Sequence, residues 1–186
     1  MILFLLILLL SISSGLGGQE EMAEFARTLL HHHNYVRQTR NQCDYYWSTP
    51  SETKLGNLTW DDGLHVTAQQ YAEQCENSPS RLNDRTTCRW KSVGQNIAQV
   101  HSVSYAINVW RDGSRFYSFK NDKCGENYDC SMYKQIVNIN TTHIGCGVHM
   151  CNKNINKGKY IVVCNYAPAA SKGRPYDDGT NTRCKQ

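Results

Sequence analysis

Nine cysteines behind an apolar leader constrain this chain more than any other feature of it. The opening run "MILFLLILLL" is almost wholly apolar, small residues follow as far as Gly18, and the first charges come at Glu20 and Glu21. An apolar core that short does not comfortably cross a bilayer, and the small residues behind it suit a signal peptidase. Residues 1–18 therefore read as a secretory signal peptide. A basic n-region is missing apart from the amino terminus, so an N-terminal anchor is the competing reading. In a secreted, extracellular chain the cysteines read as a disulfide framework. They are Cys43, Cys75, Cys88, Cys124, Cys130, Cys146, Cys151, Cys164 and Cys184. Their odd number leaves one free, removed, or paired with another molecule. A zinc cluster is the alternative, but no CxxC pair is present to support it.

Residues 19–186 are enough for one domain with a real core. No later stretch reaches membrane-spanning length, so stable membrane insertion is not expected. The net charge of +4 is dispersed, and the Lys and Arg residues form no dense run, so nucleic acid is not expected as a partner. "NLT" at Asn57 and "NTT" at Asn140 are acceptor sequons for glycosylation on exposed loops.

Hydrophobic periodicity divides the chain. "EEMAEFARTLLHHHNYVRQTR" predicts a helix, with Glu20, Glu21 and Glu24 at its start and Arg37 and Arg40 at its end to suit the helix dipole. Met22, Phe25, Ala26, Leu29, His33 and Val36 fall near one face. "WDDGLHVTAQQYAEQC" predicts a second helix capped by Asp61 or Asp62, with Leu64, Thr67, Ala68, Tyr71, Ala72 and Cys75 as its buried stripe. The stretches 43–57 and 76–92 are polar and loop-like. "VGQNIAQV" reads as a turn or short helical piece, and "SVSYAINVWRDGSRFY" as a further helix weakened at Gly113. Three β-rich runs follow, "YKQIV", "HIGCGVHMC" and "KYIVVCNYA", the last two joined by a hairpin-like "NKNINKGK". Helices before a small sheet predict an α+β fold, an α/β/α sandwich around a central antiparallel sheet.

"LLHHHNYVR", "LTWDDGLHVTAQQYAEQC", "VGQNIAQ", "IGCGVHMC" and "YIVVCNYAP" occur in an order that resembles the CAP superfamily. That group holds cysteine-rich secretory proteins, insect venom antigen 5 and plant pathogenesis-related-1 proteins. The resemblance runs from about residue 23 to residue 168 and is closest to helminth venom allergen-like proteins of the schistosome kind. It implies a single CAP domain over 19–170, with 171–186 as a short C-terminal tail. It also implies the disulfides Cys75–Cys151, Cys124–Cys130, Cys146–Cys164 and Cys43–Cys88, leaving Cys184 odd.

Members of this family commonly carry two histidines and two acidic residues in a central cleft, where the imidazoles can bind a divalent metal. Aligned residue by residue, this chain has Pro79 and Met132 at the histidine positions and Gln95 and Gly113 at the acidic ones. Asp112 is next to Gly113, but one residue along a helix turns a side chain by about 100°. Proline and glycine offer no side-chain ligand, methionine is a soft thioether, and an amide is a poor acid or base. No metal, no cofactor and no catalysis are expected, and a metal-dependent hydrolase is the weakest alternative. The "HHH" at His31–His33 is not a ligand cluster, because consecutive helical positions diverge. His33 reads as a packed structural histidine, His31 and His32 as solvated, and His143 and His149 as structural.

Two binding roles remain. By resemblance, sterols would sit on an aromatic loop, here Phe116, Tyr117 and Phe119 in "RFYSFKNDKC", provided those rings are exposed rather than core. Fatty acids would lie in a groove between helices, lined by Phe25, Leu29, Val103, Ile107 and Trp110, residues that would serve equally as core. Lipid export or sequestration at a host–parasite interface would follow. The alternative is a protein-recognition or immunomodulatory scaffold that presents its loops to host proteins without lipid.

Overall fold

The computed structural model describes residues 24–40, 54–152 and 157–177. The expected signal peptide, Met22, Cys43 and Cys184 lie outside the described residues. Among those described, no helix is long and apolar enough to cross a membrane.

Helix α1 is helical over 24–39. Then come β1 (Thr59–Trp60), α2 (Asp62–Ala72), α3 (Leu82–Arg85) and β2 (Gly94–Val100). A 3-10 turn, Val103–Tyr105, leads into α4 (Ala106–Asp112), and a small hairpin pairs β3 (Tyr117–Ser118) with β4 (Lys123–Cys124). Helix α5 (Ser131–Ile136) precedes β5 (His143–Met150) and β6 (Tyr160–Ala167). The main sheet has the order β1-β5-β6-β2. β5, β6 and β2 are antiparallel, whereas the two-residue β1 runs parallel to β5, so the sheet is mixed rather than purely antiparallel.

Period-two alternation in the strands sorts the core into two layers. Ile97, Ile161 and Val163 face Ala68, Tyr71 and Ala72 of α2. On the opposite face Ala98, Val100, Ile144, Val162 and Tyr166 meet Leu29 and Val36 of α1, Ile107 and Trp110 of α4, and Tyr133 and Ile136 of α5. β6 is buried from Ile161 to Ala167 because both faces are covered. This is the expected α/β/α sandwich.

Helix α2 starts where Asp61 Oδ1 accepts a hydrogen bond from Leu64 N at 2.9 Å. It lies directly on β5 because Gly145 and Gly147 point at it. A Cβ on Gly145 would collide with backbone atoms of His65, Asp61 and Leu64, and one on Gly147 with the backbone of Gln69. Between them Cys146 turns to the other face, where its register partner Cys164 completes a disulfide. Two further bridges, Cys75–Cys151 and Cys124–Cys130, complete the pairings that the resemblance implied for these six cysteines. The fourth is corrected: Cys88 is an exposed free thiol in the turn where Thr87 and Trp90 bond each other, so the implied Cys43–Cys88 bridge is not formed.

Two local expectations are also corrected. "YKQIV" is not a strand but most of α5: Tyr133, Ile136 and Val137 are spaced three and four apart and all face the core, so helical burial overrides their β-propensity. "GQNIAQV" is a strand, because its backbone completes the sheet beside β6 in a seven-pair register from Gly94↔Tyr166 to Val100↔Tyr160. Past residue 170 the chain packs back onto the domain. Tyr176 is 2% exposed and stacks on Phe119 with centroids 4.7 Å apart, and Pro175 O accepts from Ile139 N.

Candidate functional site

The four cleft positions do not assemble a ligand set. Pro79 is exposed. Gln95 is consumed by local bonds, its Oε1 accepting from Ser80 N at 2.8 Å and its Nε2 donating to Asn165 Oδ1 at 3.0 Å. Gly113 is buried so tightly that a Cβ there would lie 3.2 Å from Asp129 O and from Cys130 Cα. Met132 packs against the core, and its carbonyl accepts from Asn96 Nδ2 at 3.0 Å. Gln95 turns to the α2 side and the adjacent Asn96 to the other, so the positions are also split by the sheet. These residues do not fit a divalent metal. Among the described residues, no three or more His, Cys, Asp or Glu side chains are grouped to share one.

The aromatic loop is largely core. Tyr117 and Phe119 are 5% and 2% exposed, and they meet edge-on with centroids 6.2 Å apart. Tyr117 Oη donates to Asp122 Oδ1 at 2.6 Å, and Lys134 Nζ binds the same oxygen at 2.8 Å. Burial, reinforced by the Asp122 carboxylate, pushes the Tyr117 hydroxyl well above its usual range. The expected exposed platform is therefore corrected, since filling the space under β3 buries more apolar surface than holding both rings in water. Phe116 alone stays near the surface, stacked on the half-exposed Tyr128 at 3.5 Å.

His33 is structural. Its Nδ1 lies 2.7 Å from Leu29 O, which can only accept, so Nδ1 carries the proton and Nε2 accepts from Tyr166 Oη at 2.8 Å. Asn96 Nδ2 donates to the same hydroxyl at 3.2 Å. Burial holds the His33 imidazole down at about 4, opposed by the Leu29 bond. Four residues on, Arg37 is buried and donates to the carbonyls of Gly56, Ile136, Asn138 and Thr141. Desolvation lowers it to about 10. Together these two side chains fix α1 over the sheet and the loops beside it.

Above that pinned face lies a groove of about 360 Å3. Phe25, Thr28 and Leu29 of α1 form one wall, Val103 and Ser104 of the 3-10 turn another, and Val148 of β5 and Tyr160 of β6 the third. Leu29 is fully buried, while Phe25, Val103, Val148 and Tyr160 are partly open and rest on the core. Among the described residues, the only acidic side chain lining it is Glu24, at the α1 end. Three of the five groove residues expected from the sequence, Phe25, Leu29 and Val103, line this space. Ile107 lines a neighbouring hollow, and Trp110 belongs to the core, donating its Nε1–H to Ile97 O at 3.1 Å. Val148 and Tyr160 escaped sequence reasoning because no periodicity links late strands to the first helix.

The sequence pattern of the cysteine-rich secretory protein family, CAP, matches residues 30–166. The Schistosoma mansoni venom allergen-like protein 4 structure superposes with a TM-score of 0.75 at 33% identity, covering 83% of this chain and 95% of that one. Bovine GLIPR1-like protein 1 is 29% identical over 141 residues, 71% of this chain and 58% of that protein. Mouse peptidase inhibitor 16 is 30% identical over 141 residues, 71% of this chain and 27% of that protein. The chain thus spans only part of the length of these curated relatives.

Proposed function

The chain belongs to the cysteine-rich secretory protein (CAP) family, and on that premise we propose that it is a secreted binding protein, not an enzyme, that carries a lipid acyl chain. One observation carries the reading, namely the apolar-walled groove between α1, the 3-10 turn and the ends of β5 and β6. A preformed concave space with apolar walls and few polar groups suits a small apolar ligand. Each Å2 of chain removed from water there contributes about 25 cal/mol. The replaced cleft positions favour binding over metal-assisted hydrolysis. Export or sequestration of lipid is the role that follows, with Asn57 and Asn140, both exposed, glycosylated in the secreted protein.

Organic extraction of protein purified from a eukaryotic secretion host, followed by mass spectrometry, tests the proposal. A lipid near one equivalent, lost in Thr28→Trp, which fills the groove from its α1 wall, is the expected result. Protein that carries no lipid and takes up no radiolabelled palmitate overturns it. Recognition of a protein partner would then lead, and the exposed Tyr35, Tyr105 and Tyr128 favour that second reading. Sterol binding at Phe116–Phe119 has less support, since only the Phe116–Tyr128 stack offers a surface ring there. Cholesterol binding lost in Phe116→Ser would restore it.

A further inference from the structure

Helix α4 turns one stripe to the core and the opposite stripe to solvent. Ile107 and Trp110 are buried, whereas Tyr105, Asn108, Val109 and Asp112, spaced i, i+3, i+4 and i+7, are exposed. A soluble helix ordinarily reserves its solvent stripe for charged and polar side chains. Here Tyr105 is 58% exposed and Val109 43%. With Arg111 and Arg115 they ring a hollow of about 620 Å3, which shares no residue with the apolar groove on the α1 side. Asn108 and Arg111 also line the neighbouring hollow that reaches the exposed Tyr35 of α1. Of the seven large apolar or aromatic side chains exposed among the described residues, three therefore border this face. Scattered singly they would be ordinary surface, but gathered they mark a place of contact.

The face is also cationic. Asp112 is engaged by Arg115 at 3.3 Å. Arg111 takes no part in the ion pairs formed among the described residues, which use Arg89, Arg115 and Lys134. Two guanidiniums thus meet one carboxylate, and Arg111 is left to face an anion from outside the chain. Tyrosine and arginine without lysine or glutamate is the composition of a protein contact rather than of general surface. A sulfated glycan or an anionic bilayer is held by dense basic clusters instead. Two guanidiniums set among tyrosine and valine suit carboxylates that stand beside an apolar side chain.

We propose that the solvent face of α4 is a docking surface for an acidic segment of a partner protein. Carboxylates of the segment pair with Arg111 and Arg115, and an apolar or aromatic residue beside them packs between Tyr105 and Val109. The surface lies on the outside of α4, so its occupancy does not depend on a lipid in the groove.

The test is fluorescence anisotropy of a labelled random Glu–Tyr copolymer, with labelled poly-Glu and a labelled heparin fragment run beside it. Wild type should bind the copolymer more tightly than poly-Glu, and the affinity should fall as salt is raised beyond about 0.1 M, where screening sets in within about 10 Å. Arg111→Gln should weaken the copolymer by about fivefold, and Arg111→Lys by less. Tyr105→Ser should weaken it by about tenfold and leave poly-Glu nearly unchanged. Arg81→Gln, which removes an exposed cation outside this face, should match wild type. Absence of copolymer binding overturns the proposal. So does an equal loss in Arg81→Gln, because the attraction would then be diffuse charge. Heparin bound more tightly than the copolymer, and lost in Arg111→Gln, would assign the face to a sulfated glycan and overturn the protein reading. The substituted side chains are exposed, so circular dichroism and melting should match wild type, and if Tyr105→Ser fails to fold the Arg111 pair of variants decides alone.

Discussion

His33 Nε2 accepts the Tyr166 hydroxyl proton across 2.8 Å, joining residues 133 positions apart in the chain and tying helix α1 to the central strand β6. The bond requires a neutral imidazole, and burial keeps it neutral down to about pH 4. In the unfolded chain the same group takes its proton near its ordinary value of 6.5. Between those two values the unfolded state binds more protons, so stability is full above about pH 6.5 and falls as the pH is lowered towards 4. The total loss is on the order of 3 kcal/mol. Urea unfolding at stepped pH should show this slope, and His33→Gln should flatten it. A slope unchanged in the variant would assign the acid sensitivity to other groups.

Tyr166→Phe removes the donor and leaves His33 Nε2 and the Asn96 amide short of a partner. The expected cost is about 1–3 kcal/mol, because unpaired buried polar groups are penalised more than a hydrogen bond is rewarded. Denaturant midpoints at pH 7 measure it. The far-UV spectrum should be unchanged.

Arg37→Lys should destabilise almost as much as Arg37→Met, by about 3 kcal/mol or more, since four carbonyls from two stretches of the chain depend on the forked guanidinium. Hydrogen exchange would localise the loss to amides near Gly56 and around Asn138. A lysine that restored wild-type stability would show that charge, rather than the fork, matters here.

Gly145→Ala adds only a methyl group, yet its Cβ would press on the backbone of α2, which cannot rotate away. A loss of about 2 kcal/mol or more is expected, whereas Gly56→Ala, with open space around it, should change stability by less than about 0.5 kcal/mol. Parallel melting curves of the two variants check the contrast.

Cys88 should alkylate in the native protein without reductant, while Cys75, Cys124, Cys130, Cys146, Cys151 and Cys164 should not. Peptide mapping after iodoacetamide treatment reads this directly. Label on any of those six would contradict the pairing.

Much of this architecture is legible in the sequence where one physical signal dominates. The stripe Leu64–Ala68–Tyr71–Ala72 marks α2, and "HIGCGVHMC" and "KYIVVCNYA" mark the strands β5 and β6, although the close approach of α2 to Gly145 and Gly147 and the cover on both faces of β6 show only in the structure. Legibility fails where tertiary context decides. "YKQIV" holds β-branched residues but buries them at helical spacing. Tyr117 and Phe119 are aromatic enough for a surface platform, and only the space beneath β3 and the returning Tyr176 show that their rings are core. The groove is the least legible, since its walls come from residues 24–29, 103–104, 148 and 160.

The walls of that groove are also held by different means. β5 and β6 are cross-linked through Cys146–Cys164, and the end of β5 is tied to the end of α2 through Cys75–Cys151. The stretch 24–40 contains no cysteine, and α1 rests on the sheet through packing and the bonds of His33 and Arg37. Among the described residues, one jaw is riveted and the other is latched. A long guest that must enter sideways would do so by lifting the latched jaw, so its entry rate, unlike its affinity, should depend on the strength of the His33–Tyr166 catch.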